Sequence, residues 1–229
     1  MVISAVKLSA NFLTTNQTIN FGAKMKYYEL ITLKTVIFGA GKMADGIQAF
    51  LNAPEAKGTL YGAWFSDVGS LNEVYLLRGF NSIEEMYEER DRIRLSSDPF
   101  NGGENLLQYS CDSYKALDFM PEIEPGEFGK VYEIRTYQPT LNGLEPTIEK
   151  WREAVPKRVE YSPLTIAMYS LDGPTRFTQI WPYDSANARA EARGKSVADG
   201  VWPPAGGPAF LRPEMESTMA IPMPFSPLK

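Results

Sequence analysis

Val131-Tyr132-Glu133-Ile134-Arg135-Thr136-Tyr137 decides the architecture, because an altered copy of it, Tyr27-Tyr28-Glu29-Leu30-Ile31-Thr32-Leu33, stands earlier in the chain. Tyr28 precedes Tyr132 by 104 positions, and Trp64 precedes Met168 by the same interval. Phe80-Asn81-Ser82 matches Tyr183-Asp184-Ser185 at 103, so one single-residue gap brings two halves into register. Repetition over such an interval implies one structural unit used twice. Both copies are rich in Tyr, Ile and Thr and read as strands.

Outward from the first strand (residues 26–33), which contains the first copy, residues 35–51 carry a helical stripe of Val36, Ile37, Met43, Ile47, Phe50 and Leu51, interrupted by Gly39 and Gly41. Residues 60–65 and 73–79 read as strands around a turn-rich connection. Ser82-Ile83-Glu84-Glu85 has capping-box spacing and opens a helix through Met86, Tyr87, Arg90 and Ile93. Residues 106–111 form a fourth strand, and Pro121-Glu122-Ile123-Glu124-Pro125-Gly126-Glu127 reads as a linker.

The order then repeats. After the strand at 131–138, Leu144, Ile148, Trp151, Val155 and Val159 mark one helix face. Strands at 164–171 and 176–181 flank Asp172-Gly173-Pro174, Asp184 or Ser185 caps an alanine-rich helix, and 215–221 is the last strand. Strand-helix-strand-strand-helix-strand is the ferredoxin-like unit. Its sheet has helices on one face only, so two tandem units can press their open faces together. The expected class is therefore α+β: two tandem ferredoxin-like (β-α-β-β-α-β) units closing an intramolecular dimeric α/β-barrel. The divisions are 1–25 as an N-terminal extension, 26–120 as the first unit, 121–129 as linker and 130–229 as the second unit.

Composition bounds the function. Of 229 residues, 44% are hydrophobic and 22% charged, a balance suited to a packed globular chain. A net charge of −5 argues against a general nucleic-acid binder, although a local basic patch is compatible with a negative total. Histidine is absent, which removes the commonest general base, the commonest transition-metal ligand and any Ser-His or Cys-His nucleophile pair. The lone Cys111 forms neither an internal disulfide nor a thiolate cluster and reads as a small strand residue in a reducing, cytoplasmic setting. No apolar run approaches the roughly 20 residues of a membrane span. Residues 1–24 contain no acidic residue, but their start lacks the positive n-region of a secretory signal, and without arginine they make a weak mitochondrial presequence, which stays the alternative to a cytoplasmic setting. Met25, just before the first repeat strand, is a candidate natural start, and the sequon at Asn16 is incidental. Phe38-Gly39-Ala40-Gly41-Lys42-Met43 is not a phosphate loop, since Met43 stands where that loop needs a hydroxyl for magnesium.

Tyr132 to Tyr137, Ile180-Trp181-Pro182-Tyr183-Asp184-Ser185, and the ending Met215-Glu216-Ser217-Thr218 with Pro222-Met223-Pro224-Phe225-Ser226-Pro227-Leu228 resemble the NIPSNAP family, within the dimeric α/β-barrel superfamily. The likeness covers nearly everything from residue 26 and is stronger in the second half. Ile31 stands where Arg135 does, and Arg78-Gly79-Phe80 replaces Trp181-Pro182-Tyr183. The resemblance implies the fold and no agreed reaction. Without histidine, the superfamily's haem enzymes are not the guide, and no cofactor is implied.

Two readings of function remain open. One is a binder of a small, largely apolar or carbonyl-containing molecule or of a protein partner. The other is a cofactor-independent monooxygenase or isomerase. The candidate pocket residues are Glu133, Arg135, Tyr132, Trp181 and Tyr28. Glu133, Arg135 and Tyr137 share a strand face, so Arg135 can orient an anionic or carbonyl group inside the barrel, or pair with Glu133 in a buried network. Trp181 can wall a pocket, stack on Arg135, or pack as core. Tyr28 and Tyr132 offer phenols to a substrate oxygen. The run from Glu84 to Arg92 reads as a solvated helix face. A homodimer is a further possible assembly.

Overall fold

A computed structural model describes residues 27–229; the extension, Met25 and the Asn16 sequon lie outside the described residues. Among the described residues, eight strands and five α-helices follow the anticipated order, with the first expected helix split into two. The first half runs β1 (Tyr27–Thr35), α1 (Gly39–Lys42), α2 (Ala44–Leu51), β2 (Thr59–Val68), β3 (Glu73–Phe80), α3 (Ile83–Leu95) and β4 (Leu106–Ala116). The second runs β5 (Val131–Pro139), α4 (Leu144–Arg158), β6 (Ile166–Ser170), β7 (Phe177–Tyr183), α5 (Ala186–Ala198) and β8 (Leu211–Pro222).

Local chemistry sets the boundaries. Ser82 Oγ accepts from the Glu85 amide at 3.1 Å, and Ser185 Oγ from the Ala188 amide at 3.1 Å, each satisfying a free donor of a helix N-terminus. The Glu85 carboxylate accepts from the Asn81 amide, one residue earlier than the capping box prescribes. The helical stripe expected from residue 35 starts only at Gly39. The Thr35 amide donates to Asn72 O and the Val36 amide to Asn105 O, and Phe38 is left-handed at φ 60°. These ties extend the strand at the expense of the helix.

The strands form one closed antiparallel barrel in the order β1-β3-β2-β8-β5-β7-β6-β4. Each half contributes a four-stranded ferredoxin-like sheet. The two sheets join edge to edge where Trp64 faces Pro222 across β2 and β8, and where Tyr114 faces Ser170 across β4 and β6. Closure removes every free sheet edge.

Both faces of the barrel wall are buried. The interior holds Tyr28, Leu30, Trp64, Leu77, Tyr132, Ile134, Ile180 and Ala220. Outside, α1, α2 and α3 cover Ile31, Leu33, Val74 and Leu76 with Ile47, Phe50 and Ile93. Trp151 and Val155 of α4, with Trp202, cover Tyr137, Phe177 and Trp181. Even positions of β5 therefore face inward and odd positions face the helices. Cys111 pairs opposite Ile31 on the helix-facing side, where burial pushes its thiol up to about 12.

The linker and tail close one end of the barrel. Ile123 and Leu228 join the interior cluster, Gly126 bridges to Leu228, and Ser226 Oγ accepts from the Ala63 amide at 2.9 Å while donating to Leu228 O at 2.7 Å. The proline-rich tail is irregular yet buried at Met223, Ser226 and Leu228.

Candidate functional site

The end of the barrel away from the tail is open. There the strands enclose a cavity of about 600 Å³, with Leu30, Ile134, Tyr75 and Tyr114 reaching up from the apolar interior. Thr32 and Thr136, equivalent positions of the repeated strand, stand above them, and Glu73, Asp112, Arg176 and Glu216 form the polar rim. The floor is apolar and the mouth is lined mainly by polar and charged side chains, and the volume is large enough for a small molecule.

The rim is wired from strands of both halves. Arg176 Nη2 donates to Asp112 Oδ1 at 3.1 Å, joining the start of β7 to β4. Burial raises the Asp112 pKa above the ordinary carboxylate value, against the opposing pull of Arg176. Tyr75 Oη donates to Glu73 Oε2 at 2.5 Å, and burial followed by that carboxylate raises the phenol's pKa. Thr178 Oγ1 donates to Tyr114 Oη at 3.2 Å and sits 3.0 Å from Thr136 Oγ1. Among the described residues, no group of three or more His, Cys, Asp or Glu is placed to hold a metal ion.

The five residues picked from sequence do not share one pocket. Tyr28 and Tyr132 lie inside the barrel toward its closed end, where Tyr132 Oη donates to Lys229 O at 3.3 Å. Glu133, Arg135 and Trp181 lie on the other side of the wall, beneath α4 and α5. Arg135 thus does not reach the barrel interior, because odd positions of β5 turn outward. It donates to Glu133 Oε1 at 2.5 Å and to Tyr137 Oη at 2.7 Å, the buried network that the sequence also allowed. Trp181 is stacked by Arg158, whose guanidinium carbon lies 4.5 Å from the ring centroid, and not by Arg135, which lies 5.3 Å from the Tyr137 ring.

A second correction concerns α3. The run read as a solvated face buries Glu89 and Arg90. Glu89 Oε1 takes Arg78 Nη1 at 2.8 Å, and Arg90 Nε donates to Glu29 Oε1 at 2.6 Å. The cause is that β1 and β3 place Glu29 and Arg78 beneath this helix, so its charges pair inward.

Sequence reasoning missed the barrel rim. Asp112 and Arg176 belong to no motif, and Glu73 and Glu216 come to line one cavity only when the barrel closes. The one legible signal was the recurrence of threonine at positions 32 and 136.

Comparison with known proteins fixes the family. Residues 28–100 and 132–227 match the NIPSNAP family model. The chain belongs to the NIPSNAP family. A NipSnap homolog of Dictyostelium discoideum is 25% identical over 189 residues, covering 81% of this chain and 82% of that protein. Among solved structures, a candidate monooxygenase of Lactobacillus acidophilus superposes with TM-score 0.61 at 10% identity, over 87% of this NIPSNAP chain and 94% of its own. An anthrone oxidase-like protein superposes with TM-score 0.62 at 13% identity, over 88% and 92% of the two chains. These structural likenesses establish the dimeric α/β-barrel fold. No helix among the described residues is long and apolar enough to cross a membrane.

Proposed function

We propose that this NIPSNAP protein binds a small molecule with a largely apolar body and a polar, carbonyl-type head in the open mouth of its barrel. The observation that carries this reading is the cavity of about 600 Å³, floored by Leu30, Ile134, Tyr75 and Tyr114 and rimmed by charged groups. The apolar body is desolvated on the floor, and Arg176 or Tyr114 can donate to the head. Nile red, a neutral apolar dye, is a suitable probe: it brightens on entering such a cavity. Thr32→Trp blocks the half-buried mouth without entering the packed floor and is expected to weaken the dye at least about tenfold, the scale of losing one large buried contact. Equal dye binding by the two proteins would remove the mouth as the site.

A second reading rests on Asp112, whose carboxyl has a raised pKa and lines the cavity, as a general base for a cofactor-independent monooxygenase or isomerase. The anthrone oxidase-like neighbour suggests an enolisable ketone as the first compound to try. Turnover of anthrone that Asp112→Asn abolishes while Nile red still binds would support it; no turnover by the parent chain would retire it.

We further read the chain as an internal duplication with units 26–120 and 130–229 joined by 121–129, supported by the 104-residue offset and the matching serine caps. The single cysteine favours a cytoplasmic setting, and pairing into a homodimer is the assembly we would test by sedimentation.

A further inference from the structure

Glu89 and Ala192 occupy equivalent places, each seven residues beyond its capping serine, Ser82 and Ser185. In the first half the buried Glu89 carboxylate accepts from Arg78 at 2.8 Å, Arg92 at 2.7 Å and the Lys57 amide at 2.9 Å. Glu29 and Glu89, with Asp172 at 3.4 Å from Arg90, balance Arg78, Arg90 and Arg92.

The second half has lost that balance. Arg135, Arg189 and Arg193 converge on Glu133 alone, and Arg158 stacks on the neighbouring Trp181. Glu133 Oε1 takes Arg135 and Arg189 at 2.5 Å and Ser217 at 2.8 Å, while Oε2 has no hydrogen-bond partner and meets Arg193 only at 3.9 Å. Arg158 donates to Ser162 at 2.8 Å and Tyr183 at 3.4 Å, both neutral. Burial lowers the Arg158 pKa, and Arg193 lowers it further. Arg158 Nε, Arg189 Nε and Gln179 Nε2 are buried donors with no partner among the described residues, and Arg158 and Gln179 are each 1% exposed. Four guanidiniums with one carboxylate, partly removed from water, are costly unless an anion joins them.

We propose that this slot between β5, β7 and α5 binds a phosphate-class oxyanion carried by a small molecule, in the place where Glu89 puts a carboxylate in the first half. The surplus of three positive charges suits a dianion, and guanidinium forks match its oxygens. Side chains of Arg189 and Arg193 are 24% and 28% exposed, which leaves a way in from solvent. Ala188 and Ala192, next in sequence to these arginines on α5, also border a separate surface groove of about 490 Å³ lined by Glu160, Tyr161, Glu191, Lys195 and Asp199. The slot lies across the barrel wall from the mouth, so this inference and the mouth reading stand or fall separately.

The test uses the full chain, titrated with inorganic phosphate and, at matched ionic strength, with sodium chloride or acetate, following melting temperature and tryptophan fluorescence. Trp181 and Trp202 report directly, since Arg158 lies 4.5 and 5.7 Å from their rings. Phosphate is expected to raise the melting temperature by several degrees beyond chloride, acetate by less, as binding to the folded state alone requires. Ala192→Glu restores the first-half carboxylate: it should melt higher without phosphate and lose about nine-tenths of the phosphate response. Arg193→Met, which breaks only a 3.9 Å contact, should keep the fold and weaken apparent phosphate affinity about tenfold. A phosphate response no larger than chloride's, or one unchanged in Arg193→Met, overturns the site. Acetate matching phosphate overturns the assignment to phosphate.

Discussion

Glu29 and Glu133 sit at the same position of the repeated strand, both fully buried, the first beneath α3 and the second beneath α5, yet their pKa values shift in opposite directions. Burial raises the Glu29 pKa, and the Arg90 hydrogen bond and charge reduce that rise without cancelling it. Burial pushes Glu133 upward too, but Arg189, Arg135 and Ser217 outweigh it and hold the carboxyl at about 2. The backbone has placed one residue type at two equivalent points. The sign of its electrostatics is then set by how many cations the neighbouring helix and strand supply. In the first half Ile31 and Met86 stand where Arg135 and Arg189 stand in the second.

The largest test of that contrast is Glu133→Gln. Removing the single anion among these arginines should cost about 3–5 kcal/mol in urea unfolding, the scale of breaking a buried ion pair. Glu133 has its folded pKa below the unfolded value of 4.5, so its contribution is present above about pH 4.5 and is lost as pH falls toward 2. The penalty of Glu133→Gln should therefore shrink between pH 5 and pH 2. A pH-independent penalty would break the comparison.

Glu29→Gln should cost less, about 1–3 kcal/mol, because Arg90 retains Asp172 at 3.4 Å. Its pH trend should have the opposite sign. The raised folded pKa means the carboxyl's contribution is full below about pH 4.5 and declines as pH rises through the folded value, so the penalty is larger at pH 4 than at pH 7. Should the two variants show the same trend, the two environments do not differ as described.

The smallest effects sharpen the comparison at the helices. Ser82→Ala and Ser185→Ala each remove one cap bond and should cost about 1 kcal/mol. α3 buries Met86, Glu89, Arg90 and Ile93, whereas α5 buries only Ser196. Hydrogen exchange should therefore accelerate locally along α5 in Ser185→Ala while α3 in Ser82→Ala opens only with the whole fold. Equal local opening in both helices would show that α5 is held as firmly as α3.

Sequence parity correctly put Glu133, Arg135 and Tyr137 on one face of their strand. It did not say which face. In a half-exposed sheet the apolar face is the inner one, but here both sides of β1 are apolar, with Tyr28 and Leu30 inside and Ile31 and Leu33 outside. Alternation loses its meaning as an inside-outside label when helices cover one side and a closed barrel the other. The buried Glu89 and Arg90 were hidden for a related reason: a charged helix face looks solvated until the charges beneath it are known.

The residues themselves determined the unit and its twofold use, through the strand repeat at Tyr28 and Tyr132, the serine caps at 82 and 185 and the one-sided stripe of Leu144, Ile148, Trp151 and Val155. Those are local signals, written within a few residues. Tertiary structure alone decided that Asp112 meets Arg176, that the odd positions of β5 look outward, and that Glu133 rather than Glu29 is crowded by arginines. Each depends on closure of β4 on β6 and β2 on β8, or on which helix covers which strand, and contacts between residues tens of positions apart leave no trace in local spacing.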